Sequence, residues 1–264
     1  MSNPSDKDQD AADRQPHAAL DLRQRRDKGM KIEQLLQLDR LPLPLRILEI
    51  GTGSGGIAHY FACQSTLHCT VTSIDVVDQR QVTDGYEFIK TEGAELPFDD
   101  SSFDVVISNH VIEHVGDRED QLLHLGEIRR VMHDRGVGYL AVPNRWMIVE
   151  PHYRLAFLSW WPRGWRTPYL RLMQRGNYYD CEPLQLGELD NLLEQAGLQY
   201  EHMEIGAFRK IIEIEGKNNF LARLASHFPD WLLSALRPVI PTLICKLSRD
   251  SHPVHERQQG HSSR

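Results

Sequence analysis

Residues 47–56 read Ile47-Leu48-Glu49-Ile50-Gly51-Thr52-Gly53-Ser54-Gly55-Gly56. A mostly apolar run from Leu45 to Ile50, interrupted by Arg46 and Glu49, ends in four glycines within six residues. Another apolar-periodic segment follows, Ile57 to Cys63. The pattern predicts a buried strand, a tight turn and a helix. Glycine suits such a turn because it adopts positive φ and places no Cβ between the backbone and a ligand. The turn also aims backbone N–H groups and a helix N-terminus at whatever binds. The glycines alone fit two spacings. Gly51, Gly53 and Gly56 match the dinucleotide fingerprint G-x-G-x-x-G. Gly51, Gly53 and Gly55, with Glu49 two residues ahead, match E-x-G-x-G-x-G. The rest of the chain has to decide.

Working outward, the strand–helix alternation continues. Cys69 to Asp75 predicts a second strand ending in a carboxylate 24 residues after Gly51. In doubly wound folds an acid at that strand end accepts hydrogen bonds from a ribose diol. Tyr86 to Lys90 predicts a third strand and Ser102 to Ser108 a fourth. Asp117 is placed to cap a helix with apolar spacing from Leu122 to Met132, closed by Arg135-Gly136. Gly138 to Pro143 predicts a fifth strand. Such alternation predicts a parallel sheet covered on both faces. Upstream, Leu20 to Asp39 predicts one or two helices. Downstream, Leu186 to Ala196 predicts a helix stopped by Gly197. Gln199 to Ile205 predicts a strand, Asn218 to Leu236 amphipathic helices broken at Pro229, and Pro241 to Leu247 a last strand.

Size and composition narrow the classes. A chain of 264 residues buries a large core, roughly 70–75% of its unfolded surface. The expected organisation is a polar disordered tail over 1–18, one domain over 19–250 and a second disordered tail over 251–264. A net charge of −7 does not advertise nucleic-acid binding by the surface as a whole. The four cysteines are scattered without a C-x-x-C pair, which predicts reduced thiols in a cytoplasmic protein. The polar N-terminus lacks the apolar core of a signal peptide. No stretch reaches the ~18 apolar residues of a membrane span.

Five segments, taken together, carry a resemblance. Glu49-Ile-Gly-Thr-Gly-Ser-Gly55, Ile74-Asp75, Glu92-Gly-Ala-Glu-Leu-Pro-Phe98, Ser102-Phe-Asp-Val-Val106 and Val111-Ile-Glu-His-Val115 occur in that order. The set resembles class I methyltransferases that use S-adenosylmethionine. Within them it is similar to the type 11 methyltransferase-domain family, which includes ubiquinone- and menaquinone-pathway enzymes. The likeness covers roughly residues 45–143. It implies a Rossmann-like, doubly wound α/β sheet of seven strands in the order 3-2-1-4-5-7-6, with the last strand antiparallel. It also implies S-adenosylmethionine as cofactor. The backbone of Gly51, Thr52, Gly53 and Gly55 would pack on the methionine part, with Glu49 ordering the loop or the amino group. Asp75, with Val76 beside it, would take the ribose. Glu92 stands where the family more often has Asp at the adenine, with Gly93 and Ala94 offering backbone. Asn109 and His110 would face the methyl end. The alternatives are a nicotinamide-dependent oxidoreductase and a non-catalytic binding module on the same fold.

Methyl transfer needs alignment and desolvation more than any one residue type. A general base helps when the acceptor is a hydroxyl, and His110 is the candidate near the methyl group. His110, Glu113 and His114 also have the spacing of one helical face and of the H-x-x-E-H zinc pattern. Directly after a parallel strand, Glu113 and His114 are read as structural and no metal is expected; a metal held by His110, Glu113 and His114 is the alternative.

Residues 144–184 differ from the rest. They hold nine of the 21 aromatic residues and four of the five tryptophans, and from Arg145 to Arg175 six arginines stand against one acid, Glu150. A helical, aromatic-rich insert after strand 5 is predicted, acting as a pocket wall. Arg145, Trp146, His152, Tyr153, Trp160 and Trp161 are the candidate substrate contacts, and His152 is a second base candidate. The acceptor expected is a small or lipid-linked molecule methylated at oxygen, with peripheral membrane contact through residues 156–175.

Overall fold

The structure is a computed structural model that describes residues 21–215, 228–235 and 237–249. The two tails expected to be disordered, and most of the 218–236 segment, lie outside the described residues.

The first helix, α1, spans Leu22–Leu36; Asp21 caps it by accepting from the backbone N–H groups of Arg23 and Gln24. Strand β1 (Arg46–Ile50) follows, then α2 (Gly56–Ala62), β2 (Thr70–Asp75), β3 (Glu87–Lys90) and β4 (Phe103–Asn109). Helix α3 (Arg118–Val131) starts in a capping box of Asp117 and Asp120. It leads into β5 (Met132–Pro143), a hairpin of β6 (Val149–Glu150) and β7 (Leu155–Ala156), and α4 (Arg163–Leu172). Helix α5 (Leu186–Gln195), β8 (Gln199–His202), α6 (Glu204–Glu215), α7 (Asp230–Ala235) and β9 (Thr242–Ser248) complete the described chain.

Seven strands form one sheet in the order β3-β2-β1-β4-β5-β9-β8. Strands β1 to β5 pair in parallel, while β9 runs antiparallel between β5 and β8. This is the topology that the sequence motifs imply. Successive side chains on a strand face opposite sides, so each central strand feeds two cores. Ile47, Val105 and Ile107 pack with Ile32, Leu36 and Phe61 from α1 and α2. Leu48, Val106 and Leu140 pack with Leu125, Ile128 and Leu192 from α3 and α5. Arg46 and Asp104 tie β1 to β4 with two side-chain hydrogen bonds of 3.0 and 2.9 Å.

Three boundaries differ from expectation. Arg135 and Gly136 do not close α3: that helix ends at Val131 and both residues lie inside β5. Strand β8 stops at His202, because Glu204 opens α6, a helix the sequence reading passes over. The insert is less helical than predicted: the β6–β7 hairpin precedes a single helix of ten residues. It has its own small core of Tyr153, Leu155, Leu158, Leu170, Tyr179 and Cys181.

Candidate functional site

The direction of winding reverses between β1 and β4, and in open α/β sheets ligands bind beyond the C-terminal strand ends at such a point. The glycine loop stands at that end of β1. Gly51, Gly53 and Gly55 all have positive φ, which a side chain would make costly. The backbone N–H groups of Gly51 and Thr52 donate to Ile74 O at 2.9 and 3.1 Å, which stitches the loop to β2. The glycines are also needed for a reason the sequence does not show. A Cβ on Gly51 would strike Val111, and one on Gly55 would strike Tyr86 and the Val82 carbonyl. The protein's own segments fill that space at these two positions.

Two carboxylates flank the loop. Glu49 is buried, and its Oε2 accepts from Ala58 N at 3.0 Å, anchoring the first turn of α2. Burial raises its pKa to about 8, against the opposing charge of Arg25 and the Ala58 hydrogen bond. Asp75 Oδ2 accepts from Gly53 N at 2.9 Å and Oδ1 from Val77 N at 3.2 Å. Each oxygen keeps a second lone pair for a further donor. Val76 is half-exposed, and Glu92 and Gly93 are exposed with Ala94 beside them. Gly93 has positive φ, and a Cβ there would meet nothing.

At the end of β4 the backbone turns sharply. His110 has φ +59° while its N–H donates to Ala141 O at 2.9 Å. A non-glycine residue in that region carries ~1–3 kcal/mol of strain, a feature that clusters at functional sites. Asn109 beside it is buried, with an Oδ1 that has no hydrogen-bond partner, and the same holds for Thr52 Oγ1. Buried polar atoms of this kind call for a ligand or water. These orphans and the open space at Gly93 fit a cofactor with ribose, adenine and amino-acid parts.

His110, Glu113 and His114 do not share an α-helical face. Ile112–His114 is a single 3-10 turn, and His110 precedes it in the left-handed region. The turn nonetheless points Glu113 inward between the two histidines. His110 Nδ1 lies 3.3 Å and His114 Nε2 3.9 Å from Glu113 Oε1, and the carboxylate is fully buried with neither oxygen hydrogen-bonded. Burial draws the His110 pKa below its ordinary value, outweighing the raising effect of Glu113.

The insert brings its own groups to the same place. His152 Nδ1 sits 2.6 Å from Glu150 Oε1, and its ring centroid lies 5.6 Å from that of His114. Burial lowers the His152 pKa, but Glu150 outweighs it and the net shift is upward. Glu182 N donates to Glu113 O at 2.9 Å, and Gln121 Nε2 bonds the carbonyls of Ile112 and Glu182. Asp180 and Cys181 are thereby placed beside His114, a neighbourhood that nothing in their local sequence signals.

The other candidate contacts divide. Tyr153 is buried, its one hydroxyl hydrogen within reach of both Tyr178 O and Asp180 Oδ1. Trp146 and Trp160 meet edge to face, their indole N–H groups committed to Gln185 and Met147 O. Trp161 is exposed and stacked on Trp165. Arg145 Nε has no hydrogen-bond partner, whereas Arg166 is buried against Trp161 O and Glu182.

Comparison with known proteins agrees with this geometry. Residues 48–140 match the family model described as a methyltransferase domain. A glycine/sarcosine/dimethylglycine N-methyltransferase of Actinopolyspora halophila is 35% identical over 100 residues, which are 34% of this chain and 17% of that protein. A Mycobacterium ulcerans protein provisionally named phthiotriol/phenolphthiotriol dimycocerosates methyltransferase 2 is 34% identical over 102 residues, 36% of this chain and 38% of that protein. The chain thus matches well under half the length of both relatives. A solved structure from Galdieria sulphuraria, provisionally a sarcosine dimethylglycine methyltransferase, superposes with a TM-score of 0.51 at 14% identity, covering 85% of each chain, a likeness of fold. Residues 48–140 of this chain thus match the methyltransferase domain family model, and the chain shares its fold with the solved Galdieria sulphuraria protein.

Proposed function

We propose that the protein transfers a methyl group from S-adenosylmethionine to an oxygen of a small or lipid-linked acceptor. The observation that carries this reading is the glycine loop set between buried Glu49 and Asp75 within a recognised methyltransferase domain. The bound donor would supply a methyl group on a positively charged sulfonium. The chain's residues then bind, orient and exclude water. The backbone from Gly51 to Gly55 would hold the methionine part. Asp75, with Val76, would take the ribose, and Glu92, Gly93 and Ala94 the adenine edge. Asn109 would present its orphaned Oδ1 to the amino-acid end. His110 would accept the acceptor's proton, since burial keeps its imidazole neutral, with a nitrogen lone pair available. His152 is the second candidate for that role.

The insert would choose the acceptor. Arg145 and Trp161 keep polar or aromatic surface to offer, while Trp146, Tyr153 and Trp160 would frame the pocket. The Mycobacterium ulcerans relative is named for a triol, which favours a hydroxyl-bearing lipid acceptor. The Actinopolyspora halophila relative is named for amines, so the methylated atom needs its own test. The exposed face of residues 156–175 would meet a membrane surface where such an acceptor resides.

Calorimetry with S-adenosylmethionine and with NADH tests the donor. We expect binding of the first alone, weakened roughly 10- to 100-fold in Asp75→Ala, the worth of a charge-assisted hydrogen bond, and abolished in Gly53→Val. NADH binding instead would overturn the reading. Labelled-methyl transfer into a lysate, partitioned into lipid, glycan, protein and small-molecule fractions, tests the acceptor. Label confined to protein would reject the class proposed here.

A further inference from the structure

A cavity of about 170 Å³ lies where α3, α4 and α5 meet the chain leaving β5. Four arginines line it. Arg118 opens α3, Arg163 and Arg166 lie on α4, and Arg145 follows β5. Their guanidinium groups keep donors to give. Arg145 Nε is buried and has no hydrogen-bond partner among the described residues. Its Nη1 stands 3.9 Å from Glu188 Oε1, too far for a hydrogen bond. Arg166, only 3% exposed, commits Nε to Trp161 O at 2.9 Å and Nη1 to Glu182 at 3.5 Å. Arg163 gives Nε to Glu182 at 2.7 Å, and Arg118 gives Nη2 to Asn191 at 3.3 Å. A guanidinium has five N–H donors, so these bonds leave most of them unspent.

Three acids face the same cavity, and each already serves the protein. Asp117 Oδ1 accepts from Glu119 N and Asp120 N at the start of α3. Glu188 Oε2 accepts from Gln185 N in the capping box of α5. Glu182 takes Arg163 and Arg166. Four arginines against three acids leave the lining with one positive charge in excess. A buried guanidinium nitrogen without a partner is costly, and a bound oxyanion removes that cost.

We propose that this cavity binds a phosphate group, held by Arg118, Arg145, Arg163 and Arg166. A carboxylate presents two oxygens in one plane and suits a single guanidinium fork. A tetrahedral phosphate presents oxygens in several directions, which matches donors arriving from α3, from α4 and from the end of β5. The group belongs to a soluble phosphate ester or to a lipid headgroup; the chemistry recognised is the same. Gln121 also lines the cavity and bonds Ile112 O in the turn that carries Glu113 and His114. A phosphate there would bridge the insert to α3. The site does not depend on methyl transfer.

The full chain is titrated with inorganic phosphate by calorimetry, with ionic strength held constant by chloride. We expect one phosphate per chain. Arg145→Gln and Arg163→Gln should each weaken binding by about tenfold or more, the worth of a charge-assisted hydrogen bond. Arg175→Gln, at an exposed arginine outside the lining, should leave it unchanged. Circular dichroism checks that each variant is folded, and the native titration stands without any variant. Flotation with phosphatidylcholine vesicles carrying phosphatidate identifies the source. Capture that Arg145→Gln abolishes and free phosphate competes away assigns the group to a lipid headgroup. Phosphate binding without such capture assigns it to a soluble ester. Neither phosphate binding nor Arg145-dependent capture, or phosphate affinity that survives in both Arg145→Gln and Arg163→Gln, or that falls equally in Arg175→Gln, would overturn the proposal.

Discussion

Glu49 shows what one buried residue costs and does. Its carboxyl sits between Leu48 and Ile50 on β1 and serves one backbone N–H, that of Ala58. With its pKa raised from 4.5 to about 8 by burial, the folded state holds a proton that the unfolded state releases. Stability from this group is therefore greatest below about pH 4.5 and falls as pH rises toward 8, by up to ~1.4 kcal/mol per pH unit. Glu49→Gln keeps an acceptor without the titration. Thermal melts from pH 5 to pH 9 should show the variant close to the native chain at the acid end and more stable at the alkaline end. Parallel curves would mean that Glu49 is ionised throughout. The position of Glu49 was legible from E-x-G-x-G-x-G, but its proton was not. The proton depends on burial, opposed by the charge of Arg25, which comes from α1 and shares no motif with the loop. The same limit applies at Gly51 and Gly55, whose need for glycine is set by Val111 and Tyr86 across the fold.

Elements were legible where periodicity and caps agreed. Helix α3 has Asp117 and Asp120 at its start, and α5 has Gly197 at positive φ just beyond its end. They blurred where tertiary pairing overrode local signals, as at Arg135-Gly136, which β5 absorbs by pairing with β4 through an irregular register. The insert was legible only as composition. Its exposed face carries Phe157, Trp161, Trp165, Leu172 and Met173, with the exposed arginines 154, 163, 171 and 175 around them. Apolar rings edged by cations suit the interface of an anionic bilayer. Liposomes rich in anionic lipid should float the native chain, and Trp161→Ala/Trp165→Ala should lose most of that flotation with S-adenosylmethionine binding unchanged. Equal flotation of both proteins would remove the membrane role from α4. Among the described residues no helix is long and apolar enough to cross a membrane, so any contact by this element is peripheral.

At the scale of the whole molecule, the sheet order follows from the sequence because each strand–helix step leaves few ways to wind a parallel sheet. What that order cannot convey is how firmly the insert is attached. Its core, built on Tyr153, Leu158, Leu170 and Tyr179, forms a cluster separate from the two that cover the sheet. Its links to the frame include two backbone bonds, Glu182 N to Glu113 O and Asn144 N to Pro241 O, both at 2.9 Å. Segments with a core of their own open as units below the global unfolding free energy. Hydrogen exchange should therefore show amides of α4 exchanging together, and faster than those of β1 and β4, which both cores bury. Leu170→Ala empties a fully buried site at a cost of ~2–5 kcal/mol. That loss should speed exchange across residues 153–181 while leaving β1 and β4 at native rates. If instead the whole chain loses protection together, the insert is one cooperative unit with the sheet.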